Sequence, residues 1–393
     1  MNVNKLYAEA FEEFEAKNYD AALKLLERVT TLDPTHKKAH YLKANIYDIL
    51  KKPVKKFYAL YGLLPLLKFN SRDERNFAAD IFAKLASVCD SLTLSKEALD
   101  LYLLSIKNDT DEKRAFFNVE HSILLANAVE NFSADDFRGL YSRYKKYLAN
   151  ITPYPRIFYN HKRIRIGFLS SKFTEHAIIR WSWALLTGLN KNIFKTHFYS
   201  SSTVSDVITE NLRKTSDSWR DISKLTDEQA AKLIHDDEID ILFDLNGYTG
   251  GTRLKIMAYR PASVQISGIG YMNSTGLDCV DYFLSDIYCA GDESFFTEKV
   301  IKLPHSHVCY KPLKEIEPAA YPPCLKNNFI TFGSFNHLIK TSDFVLKLWK
   351  KILDAVPKSR LILKHITLND KEQKNFVGER LENLGFDLSR VEM

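Results

Sequence analysis

Along residues 1 to about 150 the apolar positions recur at three- and four-residue spacing, broken by short polar stretches with few glycines. That period predicts a run of amphipathic helices. At Tyr154-Pro155 the texture changes, and short apolar runs begin to alternate with helical pattern. Strands are expected at RIRIGFLS (163–170), FKTHFYSSS (194–202), IDILFDL (239–245), SVQISGIG (263–270), YFLSD (282–286) and KVIKLP (299–304). Thr226 and Gln229 form a capping box that opens a helix leading into the strand at 239. Such alternation predicts a parallel sheet with helices packed on its faces. LKEIEPAAYPPC, 313–324, has three prolines and no period, so it reads as a linker. Beyond it NFITFGSF and RLILKHI read as strands, SDFVLKLWKKILDAV and DKEQKNFVGERLENLGF as helices, the last closed by Gly385. A third strand is only beginning at SRVEM, so this second α/β domain is expected to be unfinished.

Inside the helical part, KNYDAALKLLERVTTLDP places Ala10, Ala22, Leu26, Val29 and Pro34 close to the positions that a 34-residue tetratricopeptide repeat needs. Small residues let the two helices approach, and Asp33-Pro34 ends the second one. A weaker repeat runs from His36 to about Asn70, with Ala44 and Tyr47 in register. The expected organisation is therefore tetratricopeptide-like repeats at 1–70, further helices at 71–155, a first α/β half at 156–312, a linker at 313–326, and the start of a second half at 327–393. A generic helical bundle is the alternative for the first part.

Composition narrows the class. The 393 residues are 45% hydrophobic and 26% charged, as in ordinary globular proteins. The formal charge of +6 comes from lysines spread along the chain, which predicts a solvated surface and no nucleic-acid partner. The five cysteines form no CxxC pair and are odd in number, as for reduced thiols in a cytoplasmic protein. ALYGLLPLLKF (59–69) is too short to span a bilayer, so no membrane is expected.

In open α/β folds ligands bind beyond the carboxyl ends of the strands. Four segments qualify. They are SSKFTEHA with His176, NGYTGGTR with Asn246, Tyr248, Thr249 and Arg253, GIGYMNSTG (268–276), and GSFNHLIKTS with His337 and Lys340. GIGYMNSTG lacks GxGxxG spacing, and no P-loop GxxxxGK[ST] is present. His305 and His307 would share a strand face, but with no carboxylate or thiol partner in view no zinc site is expected.

Taken together, RIRIGFLSSKFTEHA, IDILFDLNGYTGGTR, YRPASVQISGIGYMNSTGLDCVDYFLSD, the EKVIKLPHS run and FGSFNHLIKTSDFVLKLWKKILDAVPKSRLILK resemble the catalytic region of the protein O-GlcNAc transferase and SPINDLY family. Tetratricopeptide repeats precede that region there, and residues 120–148 are similar to helices before catalysis in bacterial members. The resemblance implies a GT-B fold, two Rossmann-like halves with the second truncated here. It implies inverting transfer of a sugar from a nucleotide-sugar to Ser or Thr, with no required metal and no bound cofactor. A peptide or protein acceptor would be held by the repeat groove. GlcNAc from UDP-GlcNAc is the expected sugar, with GDP-fucose the alternative donor.

On this resemblance Lys340 is the lysine of an FNxxxK motif and would neutralise the diphosphate, with His337 near the nucleotide. His176 is the cleft histidine, a base or an orienter of the acceptor, and Asp237 a carboxylate for proton handling. Gly270 and Met272 lie on the donor side, where GYMN replaces the family's GYPG turn. Asn246, Tyr248, Thr249 and Arg253 form the acceptor-side loop. The family's later donor residues would fall beyond residue 393. The runner-up reading is an inactive adaptor that binds peptides through its repeats. A nucleotide-sugar epimerase of GT-B type comes third.

Overall fold

The computed structural model describes residues 2–312 and 316–393. The chain divides into two compact units, Met1–Asn131 with Pro318–Met393, and Phe132–Glu317.

The first unit opens with seven helices: α1 (Val3–Glu15), α2 (Tyr19–Leu32), α3 (Lys37–Ile49), α4 (Pro53–Tyr61), α5 (Arg72–Ser91), α6 (Ser95–Asn108) and α7 (Glu112–Ala126). Ala10 and Ala22 are fully buried where α1 meets α2, with Leu26 and Val29 beside them. A larger side chain at either alanine would push the helices apart. Asp33 is extended (φ −136°, ψ 90°), the conformation that Pro34 demands of its predecessor.

The second unit begins with α8 (Ala134–Lys146), opened by a capping box between Ser133 and Asp136. Its buried face carries Phe137, Leu140, Tyr141 and Tyr144. There follow β1 (Ile164–Ser170), α9 (Ala177–Thr187), β2 (Phe194–Ser200), α10 (Val207–Thr215), β3 (Ser218–Asp221), α11 (Asp227–Asp236), β4 (Ile241–Asp244), α12 (Leu254–Ala258), β5 (Val264–Gly268), β6 (Tyr282–Asp286) and β7 (Lys299–Leu303). The seven strands form one sheet in the order β3-β2-β1-β4-β5-β6-β7, and every pair is parallel. Strand order reverses between β1 and β4. The core beneath is built on Phe168, Phe173, Phe198, Phe243 and Ile179.

The rest of the first unit is a smaller parallel sheet. It contains α13 (Pro323–Asn327), β8 (Thr331–Ser334), α14 (Asp343–Ala355), β9 (Arg360–Leu363), α15 (Lys371–Asn383) and β10 (Val391–Glu392), ordered β10-β9-β8.

Three details depart from the sequence expectation. Strand β3 was not anticipated, because SWRD is four residues long and only Trp219 in it is apolar; that ring stacks on Phe198 at 5.7 Å. The division expected at 155/156 falls at 131/132 instead, because Tyr141 and Tyr144 of α8 pack on Tyr248 of the sheet unit. The 327–393 segment joins the α1–α7 helices through Lys52–Asp370 (2.6 Å), Lys55–Glu372 (3.1 Å) and the Phe376 ring. Of the linker expected at 313–326, residues 313–315 lie outside the described residues, and its end forms α13.

Candidate active site

Three loops leave the carboxyl ends of β1, β4 and β5, around the point where strand order reverses. Side-chain hydrogen bonds join them. Ser170 Oγ donates to Asn246 Oδ1, and Asn246 Nδ2 donates to Ser171 Oγ, each at 2.7 Å. The buried Asp244 carboxylate, last in β4, accepts from Gly247 N (2.8 Å), Asn246 N (3.2 Å) and Ser267 Oγ (2.8 Å). Burial pushes the Asp244 carboxyl up, and those three donors oppose the shift. At Gly270 an added Cβ would lie 1.9 Å from Leu245 O and 2.8 Å from an Ile178 methyl. Only glycine lets the β5 loop sit that close to β4 and α9.

His176 stands at the entrance to α9 as its N-cap, half-buried, its Nδ1 accepting from Ile178 N at 3.2 Å. Burial lowers its pKa, and the Lys172 charge lowers it further. The neutral ring is therefore favoured. With Nδ1 used as an acceptor, the hydrogen-bond network assigns the ring proton to Nε2. His176 thus presents a donor, not a bare base.

At the carboxyl edge of the small sheet two imidazoles meet. His337, after β8, and His365, after β9, have ring centroids 4.4 Å apart. His337 Nδ1 accepts from Ile339 N (3.4 Å), and His365 Nδ1 lies 2.9 Å from Thr367 Oγ1. Exposed Lys340 follows in the same turn. Burial, then the His365 and Lys340 charges, hold the His337 pKa below its ordinary value. These cationic and donor groups suit an anionic ligand.

Residues 148–310 match the description glycosyl transferase family 41. SPINDLY of Solanum lycopersicum, a probable UDP-N-acetylglucosamine–peptide N-acetylglucosaminyltransferase, is 33% identical over 300 residues, 73% of this chain and 32% of that protein. The chain belongs to glycosyl transferase family 41. The Arabidopsis thaliana SPINDLY is 37% identical over 237 residues, 58% of this chain and 26% of its own length. The solved structure of a mutant O-GlcNAc transferase from Thermobaculum terrenum is 25% identical with a TM-score of 0.77, over 99% of this chain and 73% of that one. The chain thus spans about a third of the length of the plant relatives.

Within this family 41 chain the expected residues separate by position. His176, Asn246, Thr249 and Gly270 are brought to one sheet edge; Thr249 Oγ1 closes the β4 loop on Asn246 O at 2.7 Å. Met272 follows them and is 68% exposed, free to meet a ligand. Tyr248 is not available to an acceptor. It is buried, donates to Thr275 O (2.6 Å) and packs against Tyr144 and Tyr271. Arg253 is also occupied, bonded to Asp227 and to the carbonyls of Leu225 (3.0 Å) and Ile222 (3.3 Å).

Asp237 is not brought to His176. It caps the end of α11, before β4 begins, and so lies toward the opposite edge of the parallel sheet. Arg220 and Tyr199 bond its carboxylate at 2.7 and 2.9 Å. Burial alone would raise its pKa, yet those two partners hold it below the usual range. The carboxylate is consumed by structure.

Sequence reasoning missed Asp244 and His365. The DLNG turn carried a signal for Asp244, since Asp bonds the backbone two residues on. His365 carried none, because its meeting with His337 needs the sheet. Among the described residues no helix is long and apolar enough to cross a membrane.

Proposed function

We propose that this protein is an inverting protein O-glycosyltransferase that moves GlcNAc from UDP-GlcNAc to Ser or Thr of a protein acceptor. The observation that supports the reading is the meeting of the β1, β4 and β5 loops at one sheet edge, the β1 loop carrying His176, within the residues that match family 41. The acceptor hydroxyl attacks the anomeric carbon, the bond to the diphosphate breaks, and UDP leaves with the electron pair. The acceptor proton passes to a base outside His176. The Nε2–H of His176 orients the reacting oxygen. In the first unit, considered by itself, Lys340 and the His337–His365 pair are suited to bind the diphosphate of a nucleotide. The α1–α4 repeats serve acceptor recognition. Names of the relatives, which specify UDP-N-acetylglucosamine and peptide, favour a transferase over an inactive adaptor.

Calorimetry with UDP and GDP, with labelled sugar transfer from UDP-GlcNAc and GDP-fucose to Ser/Thr peptides, tests the reading. UDP binding and GlcNAc transfer are expected. His176→Ala should lower kcat by about 100-fold while leaving UDP affinity unchanged. Transfer from GDP-fucose alone would overturn the donor, and neither binding nor transfer would overturn the reaction.

A further inference from the structure

The ends of β6 and β7 carry a second cluster that the transferase reading does not use. Asp286 closes β6, Cys289 follows three residues later, and His307 comes from the segment after β7. One donor atom from each lies within 4.8 Å of the others. The carboxylate and thiol that the sequence did not show beside His307 are therefore both present.

The cluster is organised. Asp286 Oδ1 accepts from Tyr288 N (2.9 Å) and Cys289 N (2.7 Å), which fixes the turn that carries the thiol. Asp286 Oδ2 accepts from His307 N (2.9 Å) and sits 2.5 Å from His307 Nδ1. The Asp286 side chain is 1% exposed and His307 13%, whereas Cys289 faces solvent. The donors are thus set in a rigid wall with one open side.

We propose that Asp286, Cys289 and His307 bind one divalent d-block cation, with zinc as the best chemical match. Carboxylate oxygen, imidazole nitrogen and thiolate sulfur are the donors zinc takes in four-coordinate sites, and water supplies the fourth. At zinc bond lengths, donor atoms stand roughly 3.3–3.6 Å apart. The Asp286–His307 contact must therefore widen, and the exposed Cys289 side chain must close in. Binding releases the thiol proton to solvent, and the neutral imidazole of His307 offers the Nδ1 lone pair with its one ring proton on Nε2, so the cation sits between the donors.

The location gives the ion a job. After His307 the chain returns to α9, where Cys309 N and Lys311 N each donate at 2.8 Å to the carbonyls of Trp181 and Arg180. Lys311 also lies over the Trp183 ring at 4.3 Å. A cation at His307 pins this returning segment to the end of β6.

The untagged chain, stripped with chelator, is titrated with Co2+ and then Zn2+. One equivalent of Co2+ should bind with a thiolate-to-metal charge-transfer band and tetrahedral d–d bands. Zn2+ should displace it and raise Tm. Cys289→Ser should abolish the charge-transfer band, and His307→Gln should weaken binding by about tenfold or more. Cys289 is exposed, so its serine variant keeps the test intact even if His307→Gln fails to fold. The proposal falls if no Co2+ binds stoichiometrically, if Cys289→Ser leaves the spectrum unchanged, or if Mg2+ competes as well as Zn2+.

Discussion

Asn246 accepts a hydrogen bond from the Ser170 hydroxyl at 2.7 Å, across the point where strand order reverses. Its amide then donates to Ser171 Oγ, so the β1 loop that carries His176 and the β4 loop move as one. Asn246→Ala breaks both bonds and leaves the buried Ser170 Oγ without that acceptor. The expected loss is about 2 kcal/mol in urea unfolding, with faster hydrogen exchange over 170–176. An unchanged midpoint would mean that the two loops are held by packing alone.

Arg253 closes three contacts around the start of α11, to Asp227 and two carbonyls. Its side chain is 18% exposed, so little solvent screens them. Arg253→Ala should destabilise the second unit by about 2 kcal/mol and leave acceptor KM unaltered in the folded fraction. A raised KM at unchanged stability would return Arg253 to the acceptor loop.

Most strands were legible because apolar runs such as RIRIGFLS stand out between polar turns, and the edge choice followed from parallel topology alone. The small residues Ala10 and Ala22 announced a close helix pair, and both are fully buried. What stayed hidden depends on partners far along the chain. Tyr248 reads as a polar loop residue until Tyr141, 107 residues earlier, is seen stacked on it at 6.4 Å. Asp237 offers a carboxylate to which the resemblance assigns proton handling, yet nothing local says that Tyr199 and Arg220 already hold it. His307 lacked its Asp286 and Cys289 partners for the same reason.

On the proposed function, the His337–His365–Lys340 cluster should make nucleotide binding depend on pH. In the free protein burial and the neighbouring cations keep His337 neutral below its ordinary pKa. A bound diphosphate opposes this and raises it, so binding takes up protons. UDP affinity should therefore rise as pH falls from neutrality toward 6, and level off once His337 is charged in the free protein. His337→Gln should flatten that slope, and Lys340→Ala should weaken UDP by about tenfold across the range. Calorimetry at several pH values reads both. An unchanged slope in His337→Gln together with unchanged UDP affinity in Lys340→Ala would exclude the cluster from the diphosphate site.

A last consequence concerns His197, on β2 and 4% exposed. Neither ring nitrogen has a hydrogen-bond partner among the described residues. Burial is the main cause that lowers its pKa to about 4 from the ordinary 6.5; Asp237 opposes it, and Lys195, Arg165 and Arg220 add to it. The unfolded chain therefore binds a proton at higher pH than the folded one does. The stability this neutral imidazole preserves is complete above about 6.5 and is lost as pH falls toward 4, below which it changes no further. The gap from about 4 to 6.5 corresponds to at most about 3 kcal/mol. Urea unfolding of the parent and of His197→Gln, from pH 7.5 down to the acid limit of solubility, isolates this from the carboxylates, which are common to both. The parent should lose stability through that window faster than the variant. Parallel curves would mean that the folded protein admits a proton or water at His197, and that this part of the sheet is wetter than its burial indicates.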